Sequence, residues 1–132
     1  MNLEKQTKQK KILIIDDDKF LLDMYTLKFK EKGFDVNSIL WAQEALSVLE
    51  GKQFEPDVVL VDLVMPGIDG FEFLQIVRDK KLLEHGKAIV LSNLGEAQDI
   101  EKAKSLGAVG YIIKANNTPS EVVNQVVDIL GK

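Results

Sequence analysis

Short apolar runs of strand length alternate with amphipathic segments of helix length along nearly the whole chain. The apolar runs are rich in β-branched residues, and the segments between them repeat apolar residues at helical spacing. The predicted strands cover 11–15, 34–40, 57–61, 88–91 and 109–113, and the predicted helices cover 19–33, 42–52, 70–83, 97–107 and 118–130. Strict alternation indicates parallel βαβ units with right-handed crossovers. The sequence therefore predicts an α/β fold, a three-layer α/β/α sandwich around a five-stranded parallel sheet.

The chain length of 132 residues suits one domain with one folded core. We expect a flexible tail over 1–9 and the domain itself over 10–132. A net charge of −4 argues against direct binding of nucleic acid, which favours a basic surface. The absence of cysteine excludes disulfides, thiolate metal sites and cysteine nucleophiles. No apolar run has the length of a membrane span or the form of a signal peptide, so we expect a cytoplasmic protein with no membrane partner.

Charged and hydroxyl-bearing residues follow four of the five predicted strands. They are Asp16, Asp17 and Asp18 after the first strand, Asp62 after the third, Ser92 after the fourth and Lys114 after the fifth. In open parallel sheets, ligands bind beyond the carboxyl ends of the strands. These side chains are therefore predicted to meet at one edge of the sheet.

The chemistry of this set favours phosphoryl transfer. Clustered carboxylates raise one another's pKa, and a hard divalent cation such as Mg²⁺ removes that penalty. Lys114 adds a second positive charge, and Ser92 adds a hydroxyl group for phosphoryl oxygens. Asp62, at the end of the most hydrophobic strand, can then act as a nucleophile that becomes an acyl phosphate.

Each of these residues also has a simpler interpretation. Asp18 is well placed to cap the following helix, and Asp62 to start an Asx-turn into Pro66. Ser92 could be another cap, and Lys114 an ordinary surface lysine. Taken singly these interpretations are the more typical ones, but together they require four coincidences at four strand ends.

The segments "ILIIDDDKFLL", "VVLVDLVMPGIDGFEFL", "IVLSN" and "GYIIKA" resemble the signature segments of response-regulator receiver domains of two-component signalling, in particular single-domain receivers like the chemotaxis regulators. The resemblance runs from about Lys10 to Leu130. It implies a flavodoxin-like sheet with strand order 2-1-3-4-5. It also implies that Asp62 is the phosphoacceptor. The implied ligands of Mg²⁺, which Mn²⁺ can replace, are Asp16, Asp17, Asp62 and the backbone carbonyl of Val64.

The resemblance further implies a two-state switch. Ser92 matches the switch hydroxyl, Lys114 the lysine that pairs with the phosphoryl group, and Tyr111 the aromatic residue whose rotamer reports the active state. Phosphorylation would then change the surface of the fourth helix, fifth strand and fifth helix. The implied partners are a sensor histidine kinase or phosphotransfer protein and an unknown output protein. A homodimer through the same surface is a further alternative.

Three departures from the family pattern bear on the site. The family usually has proline after the lysine, often with a cis bond, and this chain has Ala115, before which a cis bond is costly. The sequence leaves the form of the Lys114–Ala115 bond open, and a trans bond would aim Lys114 differently. Asn93 is larger than the usual residue after the switch hydroxyl and would narrow access to the phosphoacceptor. Val64 and Leu94 are apolar, and we expect them to hinder the attacking water and prolong the life of the acyl phosphate.

The leading hypothesis is a phosphorylation-controlled interaction module that is not an enzyme, apart from accepting and losing its own phosphoryl group. The alternative is a receiver-like interaction module that works without phosphorylation. A phosphohydrolase is disfavoured, because Val64 occupies the position where such enzymes commonly carry a second acid. A flavodoxin-type cofactor binder is disfavoured, because acids follow the first strand where a phosphate loop needs glycines or hydroxyls.

Overall fold

The computed structural model describes residues 9–131, so most of the predicted tail lies outside the described residues. Within them the elements follow the order that the sequence predicts. The strands are β1 (Lys11–Ile15), β2 (Asp35–Ile39), β3 (Val58–Val61), β4 (Lys87–Ser92) and β5 (Ala108–Ile113), and the helices are α1 (Lys19–Glu31), α2 (Ala42–Glu50), α3 (Gly70–Asp79), α4 (Ala97–Ser105) and α5 (Pro119–Leu130).

The five strands form one parallel sheet in the order β2-β1-β3-β4-β5. Ile15 pairs with Ile39 on one side and Val61 on the other, Val61 pairs with Val90, and Val90 pairs with Tyr111. The predicted fold class and strand order are therefore confirmed. Because the strands are parallel, the residues that follow β1, β3, β4 and β5 lie along one edge of the sheet.

Helices cover both faces of the sheet, which explains why the central strand β3 is apolar and buried at every position. Ile12 and Ile14 face a core that contains α1 and α5, whereas Leu13 and Ile15 face a core that contains α2, α3 and α4. All four side chains are at most 1% exposed. Burying a side chain of this size contributes about 1.5–3 kcal/mol. Successive side chains of β1 point to opposite faces of the sheet, and their burial thus holds a helix layer on each face.

The third helix ends earlier than its hydrophobic pattern predicts. The spacing of apolar residues extends to Leu83, but α3 ends at Asp79. Lys81 adopts a left-handed conformation with φ 54°, and the amide of Leu82 closes the turn by donating to the Val77 carbonyl at 3.0 Å. Leu82 and Leu83 still pack against the core, but from a loop.

Helix caps fix where α1, α3 and α5 begin, and the cap of α3 is a capping box of Asp69 and Glu72. The Asp18 carboxylate accepts a hydrogen bond from the Leu21 amide at 3.1 Å, and Thr118 and Glu121 form the predicted capping box of α5. Trp41 occupies the same position of α2 but makes no side-chain capping bond, and its side chain is 46% exposed. No helix within residues 9–131 has both the length and the apolar character needed to cross a membrane.

Candidate functional site

The turn after β1 directs one carboxylate inward and leaves the next one outside. Asp16 is 1% exposed, its amide donates to the Ile39 carbonyl at 3.2 Å, and its Oδ1 accepts from the Asp18 amide at 3.0 Å. Asp17 is exposed. Asp18 is taken up by the cap of α1, as the sequence predicts. Of the three consecutive acids, Asp16 and Asp17 are therefore available to a ligand.

Asp62 follows β3 directly and is also buried. Its amide donates to the Ile15 carbonyl at 3.0 Å, which ties the end of β3 to the end of β1. Its Oδ1 accepts from the Val64 amide at 3.3 Å, so the Asx-turn foreseen as a simpler interpretation is present as well. The turn fixes the orientation of the carboxylate and leaves Oδ2 for other contacts.

The segment after Asp62 passes very close to the start of α3. A Cβ atom built on Gly70 would lie 2.6 Å from the Cα of Leu63 and closer still to the carbonyl oxygen of Asp62. The Gly70 amide also donates to the Leu63 carbonyl at 3.0 Å. The glycine is therefore required by this close approach, which holds the backbone of Asp62 against α3.

Lys114 joins the carboxylates of β1 and β3. Its Nζ lies 2.8 Å from Oδ2 of Asp16 and 2.9 Å from Oδ2 of Asp62, and its side chain is 8% exposed. Lys114 begins a short 3-10 helix, and no cis peptide bond occurs within residues 9–131, so the bond to Ala115, whose form the sequence leaves open, is trans. With this trans bond the ammonium group reaches both acids.

Burial and charge act against each other in this cluster. Burial raises the pKa of Asp16, and the Lys114 ammonium offsets part of that rise. Burial alone would lower the pKa of Lys114, but its contacts with Asp16 and Asp62 outweigh burial and raise it. The lysine thus stays charged and stabilises two carboxylates in a place where unpaired charges are costly.

The acids form a set of oxygen ligands suited to a hard cation. One carboxylate oxygen from each of Asp16, Asp17 and Asp62 lies within 4.8 Å of the other two. Oδ2 of Asp16 is buried and makes no well-directed hydrogen bond to any described residue, although the Lys114 ammonium is close to it. Carboxylate oxygens with room for water are what Mg²⁺ prefers. The residues present therefore fit the ion that the sequence implies.

Ser92 and Tyr111 meet at the backbone of Leu94. Ser92 is the last residue of β4 and is fully buried, and its Oγ accepts from the Leu94 amide at 3.3 Å. The Tyr111 hydroxyl donates to the Leu94 carbonyl at 2.6 Å. Burial raises the pKa of Tyr111, followed by the charges of Asp99 and Asp62. The loop between β4 and α4 is thus bonded to both residues that the sequence predicts as switch elements.

The three predicted access residues differ in exposure. Val64 is 59% exposed, Asn93 is exposed, and Leu94 is half-buried and packs against the core. Val64 and Asn93, which follow Asp62 and Ser92 closely in the chain, are therefore accessible to solvent, whereas part of the Leu94 side chain is buried.

One residue near the site was not predicted. Tyr25 is 2% exposed in α1, and burial raises its pKa, while the charge of Lys114 acts to lower it and the charge of Asp16 to raise it. Its inward helical position, one turn from Leu22, indicated a core residue and nothing more. A tyrosine at a core position of α1, where an aliphatic side chain would suffice, is the sequence signal that could have indicated its place near the site.

The chain belongs to the response-regulator receiver domain family, whose model matches residues 12–126. It is 30% identical over 125 residues to the chemotaxis protein CheY of Halobacterium salinarum, covering 92% of this chain and 97% of that protein. It is 33% identical over 116 residues to the regulatory protein VanRc of Enterococcus gallinarum, covering 88% of this chain and 48% of that protein. The chain thus spans about half the length of several curated relatives that it matches.

A solved structure of a receiver domain has the same fold. A CheY-like receiver domain protein from Methanospirillum hungatei JF-1 superimposes with a TM-score of 0.83 at 26% identity, covering 94% of this chain and 95% of that one. The protein is therefore a receiver domain of the two-component type, a signalling domain with a flavodoxin-like fold and an acidic cluster able to hold Mg²⁺.

Proposed function

We propose that this protein accepts a phosphoryl group on Asp62, with Mg²⁺, and thereby controls the binding of a partner. The donor is a sensor histidine kinase, a phosphotransfer protein or a small phosphodonor. The observation that carries the proposal is the convergence of Asp16, Asp17 and Asp62 with Lys114 at one sheet edge. Three strand ends supply what phosphoryl transfer requires, which is positioning and charge neutralisation.

In the proposed step, a carboxylate oxygen of Asp62 attacks the phosphorus atom of the donor. A bond forms between that oxygen and phosphorus, and the bond between phosphorus and the donor nitrogen or oxygen breaks. The leaving group keeps the electron pair and takes up a proton where its basicity requires one. Hydrolysis later consumes one water molecule, which attacks phosphorus, breaks the bond to the Asp62 oxygen, returns the carboxylate and releases inorganic phosphate. Beyond accepting and losing its own phosphoryl group, the protein is expected to turn over no external substrate.

The proposed roles of the neighbouring residues follow from their positions. Asp16, Asp17, Asp62 and the backbone carbonyl of Val64 would hold Mg²⁺, or Mn²⁺ in its place. The ion supplies neutralisation of phosphoryl charge when it is bound. Lys114, already within 2.9 Å of Asp62, pairs with the incoming phosphoryl oxygens.

Ser92 and Tyr111 are proposed to pass the change to a binding surface. A phosphoryl group on Asp62 offers Ser92 a new acceptor for its hydroxyl hydrogen, and Ser92 already contacts Leu94. Tyr111 holds the carbonyl of the same residue. A shift of Leu94 would therefore move the start of α4 and alter the α4-β5-α5 surface, where the output protein or a second copy would bind.

The exposed residues around the site are proposed to set access and lifetime. Val64 and Leu94 hinder the attacking water, and Asn93 narrows the approach to Asp62. Phe20, which is 73% exposed at the start of α1, is available to a protein donor that covers this edge. Changing Val64 and Leu94 to polar residues should then shorten the life of the acyl phosphate, and an unchanged hydrolysis rate would contradict this role.

The proposal also covers the limits and the location of the domain. We assign the receiver domain to 10–132; most of the predicted tail lies outside the described residues. A cytoplasmic location is proposed, because kinases that phosphorylate receiver domains act on that side of the membrane.

Intact mass after incubation with acetyl phosphate and Mg²⁺ tests the proposal. One added phosphoryl group is expected in the wild type, none in Asp62→Ala, and none when EDTA replaces the metal. Asp57→Asn, a carboxylate change at the opposite edge of the sheet, is the matched control and should keep the adduct. Absence of any adduct in the wild type would instead support the phosphorylation-independent interaction module.

A further inference from the structure

A groove runs along the amino-terminal edge of the sheet, on the side opposite Asp62. Its larger part has a volume of about 860 Å³ and lies between the start of β1 and the ends of α2 and α3. A second part of about 530 Å³ continues beneath α3 towards β5. The two parts share Lys81, Leu83, Glu84 and His85, so the loop between α3 and β4 forms a common wall.

The groove is basic although the protein is acidic. Seven Lys and Arg side chains and four Asp and Glu side chains line it, whereas the whole chain has a net charge of −4. Two of the four acids are already engaged. Glu50 pairs with Lys80 at 2.8 Å, and the Asp57 carboxylate accepts from the Lys11 amide at 2.8 Å. The Glu50–Lys80 pair cancels one charge of each sign, and Asp57 keeps its charge, so seven cations and four anions leave the groove with a net charge of +3.

Two of the groove lysines directly follow helix caps, at positions where glycine would make the helix end more stable. The residues that follow the caps of α1 and α4 are Gly33 and Gly107, with φ 98° and 104°. The corresponding residues of α2 and α3 are Lys52 and Lys81, both with φ 54°. A left-handed conformation is strained for a lysine and free of strain for glycine.

The position of the strained lysines points to the groove. Lys52 and Lys81 both line it, and they are the only non-glycine residues with positive φ within residues 9–131. A lysine at a helix end also interacts well with the helix dipole, but Lys80 already supplies a charge at the end of α3. The strain is therefore better explained by a role for these two charges in binding.

We propose that this groove binds an acidic, extended segment of a partner protein. Leu49, Phe54 and Leu82 line it and give apolar contacts, and the lysines at its margin give charge complementarity. The chain's own first residues do not suit it, because they carry Lys5 and Lys8. A long nucleic acid is disfavoured by the net negative charge of the rest of the protein. The groove faces away from Asp62, so binding there is separate from phosphorylation.

Fluorescence anisotropy with a fluorescein-labelled peptide of alternating Glu and Leu tests the proposal. The peptide should bind the wild type at low salt, and its affinity should fall as salt is added. In Lys52→Gly/Lys81→Gly, the apparent Kd should rise by about tenfold or more, because two charges are lost from the groove. The midpoint of thermal unfolding should not fall, because glycine relieves the strain. This combination distinguishes loss of a binding charge from loss of structure.

Lys30→Gln/Lys104→Gln is the matched control, since it removes two exposed lysines outside the groove. Its peptide affinity should equal that of the wild type. Unchanged affinity in the glycine variant would overturn the proposal. Equal binding of a single-stranded oligonucleotide would overturn it in favour of a nucleic-acid site. A peptide-sensitive dimer in sedimentation would overturn it in favour of a second copy as the occupant.

Discussion

Removing the charge of Lys114 should destabilise the protein far more than removing any exposed lysine. The ammonium group lies 2.8 Å from Asp16 and 2.9 Å from Asp62, and all three side chains are at most 8% exposed. Lys114→Met keeps most of the aliphatic stem and leaves two buried carboxylates with no cation. Breaking a buried ion pair from one side costs about 3–5 kcal/mol. We expect a loss of that size in the free energy of unfolding.

Urea unfolding in EDTA measures this loss. With a slope of about 1–3 kcal/mol per molar urea, the midpoint should fall by about 2 M with no change in slope. Part of the loss should be recovered by acid. Without the lysine the pKa of Asp16 is higher still, so the native state binds a proton more tightly than the unfolded state, and the free energy of unfolding rises as pH falls through that pKa. Mg²⁺ should also restore stability.

Lys104→Met, at an exposed position of α4, is the control. Its free energy of unfolding should be within about 0.5 kcal/mol of the wild-type value. If the free energy of unfolding of Lys114→Met in EDTA at neutral pH is within about 1 kcal/mol of the wild-type value, the lysine does not stabilise the two carboxylates. The electrostatic account of the site would then be refuted.

Three further outcomes are expected. Trp41→Asp supplies the side-chain cap that α2 lacks and should raise the free energy of unfolding by about 0.5–2 kcal/mol, whereas Trp41→Ala should give no gain. Gly70→Ala forces a methyl group against the backbone just after β3 and should cost about 3 kcal/mol or more in urea unfolding, whereas Gly131→Ala, whose nearest contact is 3.5 Å, should cost little. Burial raises the pKa of both Tyr25 and Tyr111, so ultraviolet titration should find neither ionising at its ordinary pH of about 10. Because the unfolded state then loses those protons first, the free energy of unfolding should fall as pH rises above about 10, and Tyr111→Phe should reduce that fall.

The fold was largely predictable because its signals are local and repeated. The apolar run of β1 has the predicted bounds, and the capping box of α5 fixes the start of that helix. The end of α3 was not predictable, because Lys81 takes a left-handed conformation without the glycine that usually marks one. Hydrophobic spacing alone continued through Leu82 and Leu83, which pack against the core from a loop.

The site was predictable to the level of which residues meet, because parallel strands bring their ends to one edge. The sequence could not distinguish the buried Asp16 from the exposed Asp17, since that difference depends on how the turn is bonded to β2 and to Asp18. It also left the form of the Lys114–Ala115 bond open. The direction of the Lys114 side chain depends on the attraction of two buried acids, which are distant in sequence.

The contacts of the loop after β4 could not be predicted from the pattern of residue types. Leu94 was singled out for its apolar side chain, yet its backbone amide and carbonyl make the bonds to Ser92 and Tyr111. Backbone contacts of this kind depend on the path of a loop, and side-chain identity carries little information about them.

Locating the phosphoryl group on the chain tests the central claim most directly. After reaction with acetyl phosphate and Mg²⁺, borohydride reduces an aspartyl phosphate to homoserine, which peptide mapping can place. The account predicts homoserine at residue 62 alone, with none in a sample prepared in EDTA. Homoserine at another aspartate, or none at residue 62 in a phosphorylated sample, would contradict it.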